Sequence, residues 1–78
     1  MSFHEKLRDS RKASGMTQRS VAQFLGISER AYQHYESGSR EPNIETLIRL
    51  SILLNISLDD LLCRDDYLKP REESSDER

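Results

Sequence analysis

At 78 residues, with a formal net charge of −2 and one cysteine, Cys63, the chain has the size of one small domain and excludes an intramolecular disulfide. No Cys/His cluster has the ligand spacing of a zinc site, so neither a metal nor a cofactor is expected. The residues after Met1 lack an apolar signal core and no apolar run approaches a bilayer span, so the expectation is a soluble, unsecreted cytoplasmic protein with no membrane partner and no second, ligand-sensing domain.

Ser2 to Ser14 is the first helix candidate, with Phe3, Leu7 and Ala13 placed on one side and Ser2 and Glu5 spaced as a capping box. Gly15 ends it. Met16 then precedes Thr17, positioned as a hydrophobic staple onto a second helix of about Gln18 to Leu25, whose apolar face is Val21, Ala22 and Leu25 with Phe24 at its border. Gly26 supplies a turn, and Ser28 caps a third helix from Glu29 to about Ser37. Two capped helices around a glycine turn thus lie eleven residues apart, start to start.

The third helix separates two faces. Ala31, Tyr32 and Tyr35 line one, while Arg30, Gln33, His34 and Ser37 follow i, i+3, i+4, i+7 on the other. Such a polar stripe is either a solvated face or a reading head: arginine and glutamine make bidentate contacts to guanine and adenine edges in a major groove that admits one helix.

Gly38 to Asn43 reads as a loop, with Pro42 preventing helical continuation and Asn43 as the next cap. Ile44, Leu47, Ile48, Leu50, Ile52, Leu53 and Leu54 then cover most of a fourth helix, which is expected to be buried at the centre of the core. Asn55 or its neighbour closes it. Ser57 caps a short fifth helix with Leu58, Leu61 and Leu62 facing inward, and the domain closes at residue 64. Residues 65–78 form an acidic, serine-containing tail expected to be largely flexible. Its Tyr67 and Leu68 either fold back on the fifth helix or pair two protomers.

Charge is polarised along the chain. Residues 1–40 hold seven Lys/Arg against four Asp/Glu, and residues 41–78 hold five against ten. That asymmetry fits a charged but ordinary surface as well as a basic half facing nucleic acid. An enzyme is not expected: Cys63 follows an apolar helix, His4 and His34 lie far apart in sequence, and no nucleophile, base and orienting group fall into a set.

From Phe3 to Leu62 the sequence resembles the Cro and phage-repressor type of helix-turn-helix regulator, the xenobiotic-response-element family. The resemblance rests on Leu7, Arg11, Gly15-Met16-Thr17-Gln18, Val21-Ala22, Leu25-Gly26-Ile27-Ser28, Tyr32, Tyr35-Glu36-Ser37-Gly38, Arg40-Glu41-Pro42, Leu47 and Ile56-Ser57-Leu58-Asp59-Asp60-Leu61-Leu62. It implies an all-α, five-helix, lambda-repressor-like DNA-binding domain over residues 1–64, with the helix-turn-helix formed by the second and third helices. The implied partner is a double-stranded DNA operator bound by a homodimer, and the implied activity is transcriptional regulation by operator occlusion.

Carried over position by position, the resemblance places Ser28, Glu29, Arg30, Gln33 and His34 at base edges, and Thr17, Gln18, Ser39 and Arg40 at the phosphate backbone. Glu29 fits a cytosine contact or simply a first-turn acid favoured by the helix dipole, and His34 fits a base or phosphate contact or simply a solvent-exposed imidazole. The residues matching Arg11 and Glu36 pair in related repressors, so a salt bridge between the first and third helices is implied. The other class of function compatible with the fold is a protein-binding adaptor or antitoxin-like partner, engaging a protein through the acidic second half.

Overall fold

The computed structural model describes residues 2–63. Five helices follow in order: α1 (Phe3–Ala13), α2 (Gln18–Leu25), α3 (Glu29–Ser37), α4 (Ile44–Leu53) and α5 (Leu58–Leu61), with no strand among the described residues. None of these helices is long and apolar enough to cross a membrane. The expected tail at residues 65–78, with Tyr67 and Leu68, lies outside the described residues.

Local chemistry sets each helix limit. The side chains of Thr17, Ser28, Asn43 and Ser57 each accept the backbone N–H three residues on, at 2.9–3.1 Å, satisfying a donor that the first turn leaves without a partner. At Ser2 the backbone N–H donates to Glu5 Oε1 at 3.1 Å, which holds the Glu5 carboxyl below its usual range. Every helix is followed by one residue in the left-handed region: Gly15, Gly26, Gly38, Asn55 and Cys63. At Gly26 (φ +75°) the reversal is completed by Gly26 N–H to Gln23 O and Ile27 N–H to Ala22 O, which turns the chain straight into Ser28 and α3.

Gly38 carries a second constraint. Its φ is +87°, and a Cβ built there would stand 3.1 Å from His4 Nδ1. The end of α3 therefore packs tightly on the His4 ring at the start of α1, which a side chain at position 38 would push aside, and the positive φ adds strain for any residue but glycine.

The core is Leu7, Val21, Ala22, Leu25, Tyr32, Leu50, Leu54 and Leu61, with Phe3, Met16, Ile27, Tyr35, Leu53 and Ile56 packed around it. α2 packs on α3, α1 on α3 and α5, and α4 chiefly on α5.

Two sequence expectations are corrected here. Ala13 is exposed rather than part of the Leu7 face, because six residues turn a helix about 600°, which leaves it about 120° away from Leu7. α4 is not buried all round: only Leu50 of the helix, with Leu54 at its end, is buried, while Ile44, Ile48 and Ile52 are 74%, 43% and 70% exposed. Those three isoleucines, four apart, form one stripe on the side of α4 away from the core.

Candidate nucleic-acid interface

The N-terminus of α2 and the exposed face of α3 make up one surface. At the start of α2, Thr17 and Ser20 cap each other: Ser20 N–H donates to Thr17 Oγ1 at 3.0 Å and Thr17 N–H donates to Ser20 Oγ at 3.1 Å. That pairing leaves the N–H groups of Gln18 and Arg19 directed along the axis, where amides and the helix dipole favour an anion. Arg19, exposed beside them, adds a cation that sequence reasoning passed over. Its signal was its place in the first turn, next to the cap.

On α3, Ser28, Glu29, Arg30 and Gln33 are exposed, and Ser28 spends its hydroxyl oxygen on capping Ala31 N–H. Among the described residues the side chains of Glu29 and Arg30 have no hydrogen-bond partner, so both are free for a ligand. His34 is half-buried, with Nδ1 3.0 Å from Ser39 Oγ, which in turn lies 2.7 Å from Ser37 Oγ. Ser39 is thereby tied to the end of α3. The backbone N–H of Arg40 donates to His34 O at 3.2 Å, fixing the chain where the exposed Arg40 side chain leaves it.

Behind this surface lies a polar cluster centred on Glu36, the one buried charged residue among the described residues, 8% exposed. Arg11 Nε donates to Glu36 Oε2 at 2.6 Å and Arg11 Nη2 to Oε1 at 3.2 Å, a bidentate fork joining α1 to α3. The Tyr32 hydroxyl donates to Oε2 and Gln18 Nε2 donates to Oε1 at 3.0 Å. Arg11 Nη1 reaches on to Met16 O at 2.9 Å, tying the α1–α2 connection to the same cluster.

Burial works against the charge of Glu36, but the hydrogen bonds from Arg11, Tyr32 and Gln18 outweigh it and hold the carboxyl below its usual range. The same bond raises Arg11, and burial followed by the Glu36 bond drives the Tyr32 hydroxyl far up, so it stays a donor. Glu36 is thus a carboxylate on a helix that faces outward with arginine, and its charge is neutralised inside the protein.

Gln18 sits half-buried between the cluster and the surface, and Gln33 Nε2 donates to its Oε1 at 3.3 Å. This link between the start of α2 and the exposed face of α3 has no local pattern in the sequence. The available signal was only that Gln18 is long and polar at the first position of α2.

The Helix-turn-helix family model matches residues 7–61, which span α1 to α5. The chain belongs to the helix-turn-helix family. Among its helix-turn-helix relatives, the transcriptional regulator YqaE of Bacillus subtilis (strain 168) is 50% identical over 60 residues, covering 77% of this chain and 52% of the relative. The cryptic phage CTXphi transcriptional repressor RstR of Vibrio cholerae is 41% identical over 64 residues, 82% of this chain and 57% of the repressor. The chain spans about half the length of the curated relatives it matches.

Among solved helix-turn-helix structures, the P22 c2 repressor in complex with a synthetic operator superposes with a TM-score of 0.74 at 34% identity, covering 80% of this chain and 94% of the repressor chain. A transcriptional regulator from Listeria innocua gives 0.74 at 31% identity, covering 99% of this chain and 78% of that one.

Proposed function

We propose that this chain binds double-stranded operator DNA sequence-specifically as a transcriptional regulator, acting as a repressor by occluding the operator. The observation that carries this reading is the exposed polar face of α3, with Arg30 and Gln33, set beside the free amides at the start of α2. A repressor of the same fold and 34% identity has been solved on its operator.

α3 lies in the major groove, and Ser28, Glu29, Arg30, Gln33 and His34 meet base edges. Thr17, Gln18, Ser39 and Arg40 hold phosphates on either side and set the register without reading sequence. A homodimer places two such helices about 34–36 Å apart on a two-fold operator. The domain of residues 1–64 carries the whole of this interface, and the protein works on the bacterial nucleoid.

Selection of bound fragments from random DNA, followed by affinity measurements across salt and a mass measurement of the complex, tests the reading. A single enriched palindromic motif, two chains per site and a steep fall of affinity with salt are expected, since phosphate contacts release counterions. Recovery of unenriched DNA would sink it.

A further inference from the structure

Resting on the DNA-binding reading, we propose that Glu36 is a positioning residue for base recognition: its carboxylate fixes which way the Gln18 amide faces, and Gln18 in turn fixes Gln33. Four donors converge on the two Glu36 oxygens, from Arg11 Nε, Arg11 Nη2, Tyr32 OH and Gln18 Nε2. A carboxylate only accepts, and these four fill its acceptor sites. The amide of Gln18 must therefore turn its nitrogen inward, which leaves Oε1 on the outer side. That oxygen accepts from Gln33 Nε2 at 3.3 Å, so the same choice is imposed on Gln33.

The chain of donors has one direction, from Gln33 to Gln18 to Glu36. An isolated surface glutamine turns its amide over freely and offers nitrogen or oxygen at either position. Here each amide is left with a defined remainder. Gln18 keeps one N–H, which suits a phosphate oxygen because phosphate only accepts. Gln33 keeps Oε1 and one N–H on the same amide, an acceptor for N6 of adenine and a donor for its N7. The buried Arg11–Glu36 bridge thus acts beyond packing: it selects the hydrogen-bond pattern shown on the outside of α3, without either residue reaching DNA.

The test uses the full chain with Gln33→Ala, Gln18→Met and Glu36→Gln, the last checked for folding by circular dichroism. Affinities are measured for all four bases at each operator position. Gln33→Ala identifies the base pair read by Gln33, where the wild type should discriminate by about tenfold or more. Gln18→Met should lower affinity for every sequence and also collapse discrimination at that one pair, although Gln33 is intact. Glu36→Gln, whose side-chain amide no longer dictates the direction, should do the same. Uniform loss with discrimination retained would overturn the proposal and leave Gln18 a plain phosphate contact.

The side-chain amide resonances of Gln18 and Gln33 in the free protein separate this from the function itself. Gln18→Met should move the Gln33 pair to the position of a solvent-exposed glutamine. An unmoved pair in a protein that still selects its operator overturns the relay and spares the DNA-binding reading. A moved pair in a protein that selects no DNA overturns the DNA-binding reading and the base-recognition role with it.

Discussion

The Tyr32 hydroxyl donates to Glu36 Oε2 at 2.5 Å, one turn along α3, so that the largest fully buried side chain of the core ends on a buried carboxylate. A tyrosine can lie there only because its polar tip has a partner. Removing the hydroxyl alone, in Tyr32→Phe, leaves the ring packing and takes one donor from a carboxylate. The expected cost is about 1.5–3 kcal/mol, the range for a hydrogen bond to a charged group, read as a lowered Tm. An unchanged Tm would show that Arg11 and Gln18 suffice for Glu36.

Acid should find the same cluster. The folded carboxyl of Glu36 lies below its unfolded value, so its contribution is complete above that value, about pH 4.3, and is lost as pH falls through the folded pKa. Melts across pH 2–7 should show Glu36→Gln less stable than the wild type at neutral pH, with the gap closing below about pH 4. Glu36→Ala, which strands the Arg11 guanidinium, should cost about 3–5 kcal/mol at pH 7. A gap that stays constant with pH would place the acid sensitivity elsewhere.

The two sides of α4 should respond in opposite ways to truncation. Leu50, fully buried, should cost about 2–5 kcal/mol as Leu50→Ala. Ile44→Ala and Ile52→Ala, at 74% and 70% exposure, should each stay within about 0.5 kcal/mol of the parent. A large loss at either isoleucine, in the monomer, would mean that the stripe is covered within the chain.

On DNA, the two arginines of the proposed interface should part company. Arg30→Ala should cost about 1–3 kcal/mol and relax preference at one base pair, while Arg40→Ala should weaken all sequences alike and reduce the slope of affinity against salt. Competition binding against single-base operator variants at two or more salt concentrations separates these outcomes. Uniform weakening by both would make Arg30 another phosphate contact.

The bounds of α2 and α3 were legible in the sequence, Gln18–Leu25 and Glu29–Ser37, because Thr17, Gly26, Ser28 and Gly38 fix them within a few residues. The inward face of α2 was legible for the same reason: Val21, Ala22 and Leu25 share one side of a short, well-bounded helix. The burial of α4 was not. Seven apolar residues say that a helix can be buried on every side, but only neighbouring elements decide which sides are, and α4 has its main neighbour in α5. At the interface, residue types at α3 positions were readable from spacing. The contacts of Gln18 with Glu36 and Gln33 join residues 18 and 15 positions apart on different helices, and no periodicity encodes such a meeting.

The left-handed residue behind every helix has a consequence for how the chain reaches its structure. Helix starts and stops are all settled among neighbours a few positions apart, so the limits of each helix need no distant contact, while the helices themselves, none longer than 11 residues, are held by packing on one another. What distant segments must add is packing, through a few long-range closures such as that between Arg11 and Glu36. Chains dominated by local contacts fold on the microsecond to millisecond scale, about the fastest that topology allows. A helix that opens transiently therefore finds its own limits again from its caps when it packs back.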